Sequence, residues 1–202
     1  MGGVLILIRH GQSEWNQKNI FTGFVDVRLS EQGRMEALRA KESLKSYSFD
    51  AVFCSALIRA QETARIILEG RVPKEYYCNQ ALNERHYGDL QGQNKDEIRE
   101  KYGAEQVQIW RRSFDVRPPN GESLKDTCAR VIPYYLKEIE PRVRAGKTVL
   151  VSAHGNSLRA LIKHLEKISD ENIVKLEIAT GVPIIYHLDD NGAVVNKVIV
   201  KP

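Results

Sequence analysis

Val4–Leu5–Ile6–Leu7–Ile8–Arg9–His10–Gly11 begins with an uninterrupted apolar run and stops on an arginine, a histidine and a glycine. A continuous β-branched and leucine run of this kind predicts a strand buried on both faces of a parallel sheet. The same ending recurs in Thr148–Val149–Leu150–Val151–Ser152–Ala153–His154–Gly155–Asn156. In open α/β sheets the ligand lies outside the carboxyl ends of the strands. A histidine followed by glycine at such an end is therefore well placed for chemistry. The glycine lets the backbone approach a ligand, and the following helix N-terminus offers amide donors to an anion. If the two strands are neighbours, both imidazoles share one crevice.

Outward from these strands, the polar stretch 10–28 leads to Ser30, which caps a helix reaching Leu44. Ala51–Cys54 reads as a second strand. Ser55 is the expected cap of a helix carrying Leu57, Ala60, Ala64 and Ile67 at helical period. Tyr76–Cys78 reads as a third strand, and Leu82–Asn94 as a loop. Asn94 caps another helix, followed by a helical segment from Ala104 to Arg112. A break with Pro118 and Pro119 precedes a helix over Ser123–Glu138, which Pro133 should kink or divide. Asn156–Leu165 is helical. Ile184–Leu188 and Ala193–Val200, joined through Asp190–Asn191–Gly192, predict an antiparallel hairpin at the sheet edge. The expected fold is α/β, a three-layer α/β/α sandwich whose central sheet is mostly parallel with an antiparallel edge.

At 202 residues the chain is expected to form a single domain, 1–202, with about 9,600 Å² exposed when folded. Hydrophobic residues make up 42% and charged residues 28%, which excludes a disordered or collagen-like chain. No apolar run is long enough for a membrane span, and no signal peptide is evident. Cys54, Cys78 and Cys128 are odd in number and lack CxxC spacing, which fits a reduced, cytoplasmic enzyme. The formal net charge of +4 comes without a basic block, so it is compatible with nucleic-acid binding without arguing for it, and a few arginines gathered around an anionic small molecule give the same balance.

Five histidines are present, and a lone histidine is usually a satisfied structural or surface residue. His164 and His187 lack a neighbouring motif and take that reading. His10 and His154 escape it through their strand-end glycines. Gly146–Lys147–Thr148 imitates the end of a phosphate-binding loop, but it precedes a strand and lacks the first glycine. Arg111 and Arg112 alone would be a solvated helix face, and Glu84 alone a loop carboxylate paired with a cation.

The run Leu7–Ile8–Arg9–His10–Gly11–Gln12–Ser13–Glu14–Trp15–Asn16 resembles the RHG signature of the histidine phosphatase superfamily. Phe21–Thr22–Gly23, Leu82–Asn83–Glu84–Arg85–His86–Tyr87–Gly88, Trp110–Arg111–Arg112 and Ala153–His154–Gly155–Asn156–Ser157–Leu158–Arg159–Ala160 are similar, more narrowly, to the cofactor-dependent phosphoglycerate mutase family. The likeness extends to about Tyr186. It implies a nucleophilic His10, a general acid/base Glu84, and Arg9, Arg59 and His154 meeting charge on a transferring phosphoryl group. It also implies that Asn16 and Gly155 lie by that group. Ser13, Thr22, Gly23, Arg85, Tyr87, Lys95, Arg111, Arg112 and Asn156 are implied as contacts to the carboxylate and distal phosphate. The implied cofactor is 2,3-bisphosphoglycerate, which primes His10, and no metal is demanded. The implied reaction interconverts 2- and 3-phosphoglycerate, small-molecule substrates of glycolysis and gluconeogenesis.

The short stretch Val116–Gly121 departs from longer members of that family, which carry an insertion there. The sequence also stops at Pro202 without their C-terminal tail, from which noticeable phosphatase side activity is expected. Two alternatives stand beside the mutase: a phosphatase on the same fold, and a non-catalytic phospho-ligand binding module. A homodimer is compatible with the sequence, which carries no readable interface stripe.

Overall fold

The structure, a computed structural model, describes residues 2–201. Six strands, β1 (Val4–Arg9), β2 (Ala51–Cys54), β3 (Glu75–Cys78), β4 (Thr148–Ala153), β5 (Ile184–Leu188) and β6 (Val194–Ile199), form one sheet in the order β3-β2-β4-β1-β5-β6. Strands β1 to β4 are mutually parallel, and β5 and β6 add the antiparallel hairpin at one edge. The helices are α1 (Glu14–Gln17), α2 (Glu31–Ser43), α3 (Ile58–Ile67), α4 (Lys95–Tyr102), α5 (Ala104–Arg112), α6 (Leu124–Tyr134), α7 (Glu140–Arg144), α8 (Gly155–Glu166) and α9 (Asp170–Ile173).

Successive residues of the central strands feed opposite layers. Leu5, Leu7, Val149 and Val151 join Val131 of α6, Val143 of α7 and Leu158 of α8 in one buried cluster. Ile6, Ile8, Val52 and Leu150 join Ala40 of α2 and Ala64 and Ile67 of α3 in another. With both faces covered, successive positions such as Val4–Ile8 and Val149–Val151 are apolar, and the runs lack the alternation of a half-exposed strand. Each such buried side chain contributes about 1.5–3 kcal/mol. The folded chain exposes 9686 Å², in line with its length. A smaller cluster of Phe21, Leu90, Ile98, Val107 and Trp110 ties α4 and α5 to the loops that follow β1 and β3.

Two local expectations are corrected. Ser55 does not cap α3, whose N-cap is Leu57 with no side-chain cap. Its hydroxyl oxygen instead accepts from the Leu57 amide at 3.1 Å and lies 2.7 Å from His154 Nε2. The helix after Ser123 does divide, but it runs further than Glu138. α6 gives way to a π-helical turn at Tyr135–Ile139 and then to α7. Pro133 lacks the N–H that would bond the carbonyl four residues back, which loosens the spacing at this point. No helix among the described residues is long and apolar enough to cross a membrane.

Candidate active site

β1 and β4 are adjacent and in register, Arg9 opposite Ala153, so His10 and His154 emerge side by side. Their ring centroids are 4.9 Å apart in an edge-to-face arrangement. The His10 amide donates to the Ala153 carbonyl at 3.0 Å, which welds the two strand ends together. Gly11 is required by packing: a Cβ there would collide with the backbone of Gly33, near the start of α2. The Gly11 amide donates to Thr63 Oγ1 of α3 at 3.1 Å.

His10 is 3% exposed, and its Nδ1 lies 2.6 Å from the Gly11 carbonyl oxygen. A carbonyl only accepts, so Nδ1 carries the proton and Nε2 keeps its lone pair. Burial, reinforced by the positive charges of Arg59 and Arg9, holds the imidazole well below its usual pKa. His10 is thus neutral near pH 7 and nucleophilic at Nε2.

His154 is fully buried and likewise held neutral, by burial first and then by Arg59, His10 and Arg9. Ser55 Oγ already accepts from Leu57, so its hydroxyl hydrogen is free for His154 Nε2. With that hydrogen assigned to Nε2, the ring proton sits on His154 Nδ1, which is buried without a protein partner. Arg9 Nε is a second buried donor without one, although Arg9 Nη1 donates to the Ile178 carbonyl at 2.8 Å. Buried donors are normally paired. Two of them beside a neutral nucleophile suit a tetrahedral oxyanion.

Arg59, 1% exposed, donates to the Gly23 carbonyl at 2.7 Å and the Val25 carbonyl at 2.9 Å. Gly23 adopts φ +56°, which glycine accommodates without strain, and this loop orients the guanidinium. Burial lowers Arg59 to about 10, with Glu84 and Asp26 opposing the shift, so it stays charged near pH 7. Glu84 Oε1 accepts from the amides of Arg85 at 2.9 Å and Asn156 at 3.0 Å. Those bonds fix the carboxyl at the N-terminus of α8 and leave Oε2 for the cleft.

Of the residues expected at the site, Arg9, His10, Asn16, Thr22, Gly23, Arg59, Glu84, Tyr87, Lys95, Arg111, Arg112, Gly155 and Asn156 line one cleft. Asn16 and Ser13 form a reciprocal capping pair, Ser13 N to Asn16 Oδ1 at 3.0 Å and Asn16 N to Ser13 Oγ at 3.1 Å. Asn16 Nδ2 is thereby left for the cleft, whereas Ser13 is fully buried behind it. His154, fully buried, is not among the lining residues and packs against the His10 ring. Arg85 is also fully buried: it donates to the carbonyls of Glu122, at 2.7 Å, and Trp110, and packs over the Tyr87 ring. The side chains of Ser13 and Arg85 therefore hold the walls. Lys95 stands at the capped N-terminus of α4. Burial, with Arg111 and Arg9 adding repulsion, lowers it to about 8.

Sequence reasoning missed Arg159, which also lines the cleft. Its spacing was the available signal, since Gly155, Asn156 and Arg159 lie on one face of a helix. Arg159 donates to Asn156 Oδ1 at 3.1 Å, and Glu177 bridges it, at 3.8 Å, to Arg112, at 3.1 Å. It also missed Arg130, which holds the 81–84 loop through the carbonyls of Ala81, Asn83 and Glu84. The cleft thus gathers five arginines and one lysine around a single carboxylate, Glu84.

A neutral imidazole with a free lone pair in a cationic cleft has the character of a phosphoryl-transfer site, and the family comparison agrees. The model for the histidine phosphatase superfamily (branch 1) matches residues 5–200, and the chain belongs to that family. It is 58% identical over 201 residues to the 2,3-bisphosphoglycerate-dependent phosphoglycerate mutase of Parvibaculum lavamentivorans, covering 98% of this chain and 96% of that one. Among solved structures, Bacillus stearothermophilus YhfR superposes with TM-score 0.84 at 27% identity, covering 95% of this chain and 94% of its own. The alpha-ribazole phosphatase from Shigella flexneri gives 0.81 at 26% identity, covering 96% and 94%.

Proposed function

We propose that this protein interconverts 2-phosphoglycerate and 3-phosphoglycerate through a phosphorylated His10, with 2,3-bisphosphoglycerate as primer. The observation that carries this reading is the His10 ring, its Nδ1 proton committed to Gly11 and its Nε2 free in the cleft. The 58% identity to a protein named for this activity supports it.

The protein's share of the chemistry is positioning and charge. His10 Nε2 attacks phosphorus in line with the leaving oxygen. Arg9, Arg59 and His154 Nδ1–H meet the charge on the equatorial oxygens, the dominant contribution in phosphoryl transfer. Glu84 takes the proton of the attacking substrate hydroxyl and returns one to the leaving oxygen. Lys95, Arg111, Arg112 and Arg159 hold the far carboxylate and phosphate, so the bound acid turns over in place instead of leaving. The buried donors His154 Nδ1 and Arg9 Nε fit such a polyanion. When bound, 2,3-bisphosphoglycerate supplies the phosphoryl group that loads His10.

A phosphatase would use the same histidines and arginines and pass the group to water; the Shigella flexneri neighbour is named a phosphatase. The four cations Lys95, Arg111, Arg112 and Arg159 favour retention of an acid that carries both a carboxylate and a phosphate over its release. Incubation with 2,3-bisphosphoglycerate followed by peptide mass spectrometry is expected to place phosphate on His10, and His10→Ala to remove it. Release of inorganic phosphate from 3-phosphoglycerate, without formation of 2-phosphoglycerate, would establish the phosphatase instead. Absence of any label despite tight binding would make the protein a binding module.

A further inference from the structure

Cys54 and Cys78 end two neighbouring parallel strands and face each other directly in the register of β2 and β3. Register partners of parallel strands project to the same side of the sheet. Neighbouring strands lie about 4.8 Å apart, inside the ~4.4–6.8 Å Cα range that a disulfide spans. The Tyr76 hydroxyl, two residues back on the same strand face as Cys78, lies 3.5 Å from Cys54 Sγ, which places the Cys54 thiol on the side of the sheet that Cys78 shares. Cys54 is buried, whereas Cys78, on the edge strand, is exposed. Hydrogen bonding from Cys54, opposed by burial and helped by Tyr76, lowers the Cys78 thiol to about 7, while the neighbouring Cys78 sulfur and then burial push Cys54 up. Cys78 is therefore the nucleophilic member and Cys54 the resolving one.

Both strand ends feed the active site. Cys54 is followed by Ser55, whose hydroxyl sits on His154 Nε2. Cys78 is followed by Asn79, whose amide donates to the Cys54 carbonyl at 3.0 Å and whose side chain caps the turn Gln80–Leu82. That turn leads to Asn83, which accepts from the Ala56 amide at 2.9 Å, and then to Glu84. The pair thus stands where the segments carrying the second histidine's anchor and the carboxylate are joined.

We propose that Cys54 and Cys78 are a dithiol switch: a hydroperoxide converts them to a cross-strand disulfide that shifts Ser55 and the 79–84 segment and suspends activity until a thiol reductant reopens it. In the first step Cys78 thiolate attacks the peroxide. An S–O bond forms, the O–O bond breaks, and alkoxide or hydroxide leaves to take up a proton. Cys54 sulfur then attacks Cys78 sulfur as its own proton passes to the departing oxygen. The S–S bond forms, the S–O bond breaks, and water leaves. Sulfur is oxidised and peroxide oxygen reduced. Cys128, buried against α8, with its thiol pushed to about 11, stands outside the switch.

The test is peroxide treatment of the full-length protein, with peptide mapping and activity followed together. The expected result is a peptide pair linked through Cys54 and Cys78, lighter by two hydrogens. Activity should fall as the link forms and return with dithiothreitol. Cys78→Ser should keep its activity under peroxide, and Cys128→Ser should respond like the wild type. The proposal is overturned if Cys78 is found only as a sulfinic or sulfonic acid, if the link forms without loss of activity, or if Cys78→Ser is inactivated equally. The peptide link is read by mass and does not depend on which phosphoryl-transfer reaction the enzyme performs.

Discussion

The two buried imidazoles differ in which nitrogen is held. His10 is fixed at Nδ1 by a backbone carbonyl, and His154 at Nε2 by a hydroxyl, so one ring presents a lone pair and the other a proton. Replacing Ser55 with alanine leaves His154 Nε2 buried without a partner and frees the ring to take the other tautomer. The loss of about 1–3 kcal/mol should appear as a kcat roughly 10- to 100-fold lower, with KM little changed. A fall confined to KM would place Ser55 outside this role. At the far end of the cleft, Glu177 is 72% exposed and occupies Arg112 and Arg159 as an internal anion. Such a pair is worth about 0.2–1 kcal/mol, so Glu177→Gln should lower KM for 3-phosphoglycerate by up to about fivefold. Steady-state kinetics at fixed low salt reads this directly.

Among the elements, those whose cause is local were read from the sequence. The central strands show as continuous apolar runs because both their faces are covered, and the hairpin shows through its Asp190–Asn191–Gly192 turn. The two His–Gly strand ends were readable for the same reason. What escaped was set by long-range contacts. Ser55 carries the signature of a helix cap, and only the arrival of β4 diverts its hydroxyl to His154. Arg85 and Arg159 carry the same charge in the sequence, yet the first is spent on backbone carbonyls and the second lines the cleft. Gly33 shows how context reverses a local rule. Glycine within a helix normally costs about 0.5–1 kcal/mol relative to alanine, so Gly33→Ala would ordinarily stabilise. Here the added Cβ meets the Gln12 carbonyl, and backbone cannot step aside as a side chain would. Overpacking of this kind costs ~1–3 kcal/mol. Gly33→Ala should therefore lower the melting temperature, and a rise would show that α2 has slack against the His10 loop.

For the folded chain taken together, two buried neutral histidines make stability depend on acid. Both have folded pKa values below the ordinary 6.5, so beneath that pH the unfolded chain binds more protons than the native one. Stability then rises with pH and, followed downward, begins to be lost near pH 6.5. The slope reaches about 1.4 kcal/mol per pH unit for each histidine. The carboxylates held low by arginines, Asp126 and Glu75, enter only below their ordinary values of 3.8 and 4.5. Urea titrations at pH 7.5 and 5.5 should show a clear drop in the midpoint. Equal midpoints would mean that the two rings are already paired differently. At the other end of the scale Lys95, lowered to about 8, loses its charge as pH rises through that value. KM for the anionic substrate should climb between pH 7 and 9, and Lys95→Met should flatten the climb.

The strand order has a consequence for biosynthesis. β1 finds its neighbour β4 only after the long stretch of chain between them has been made, because the sheet places chain-distant strands side by side. The ring of His10 gains its second imidazole from a segment translated well after its own. A nascent chain that has not yet reached β4 therefore carries the His10 ring without the second imidazole that packs against it in the folded protein.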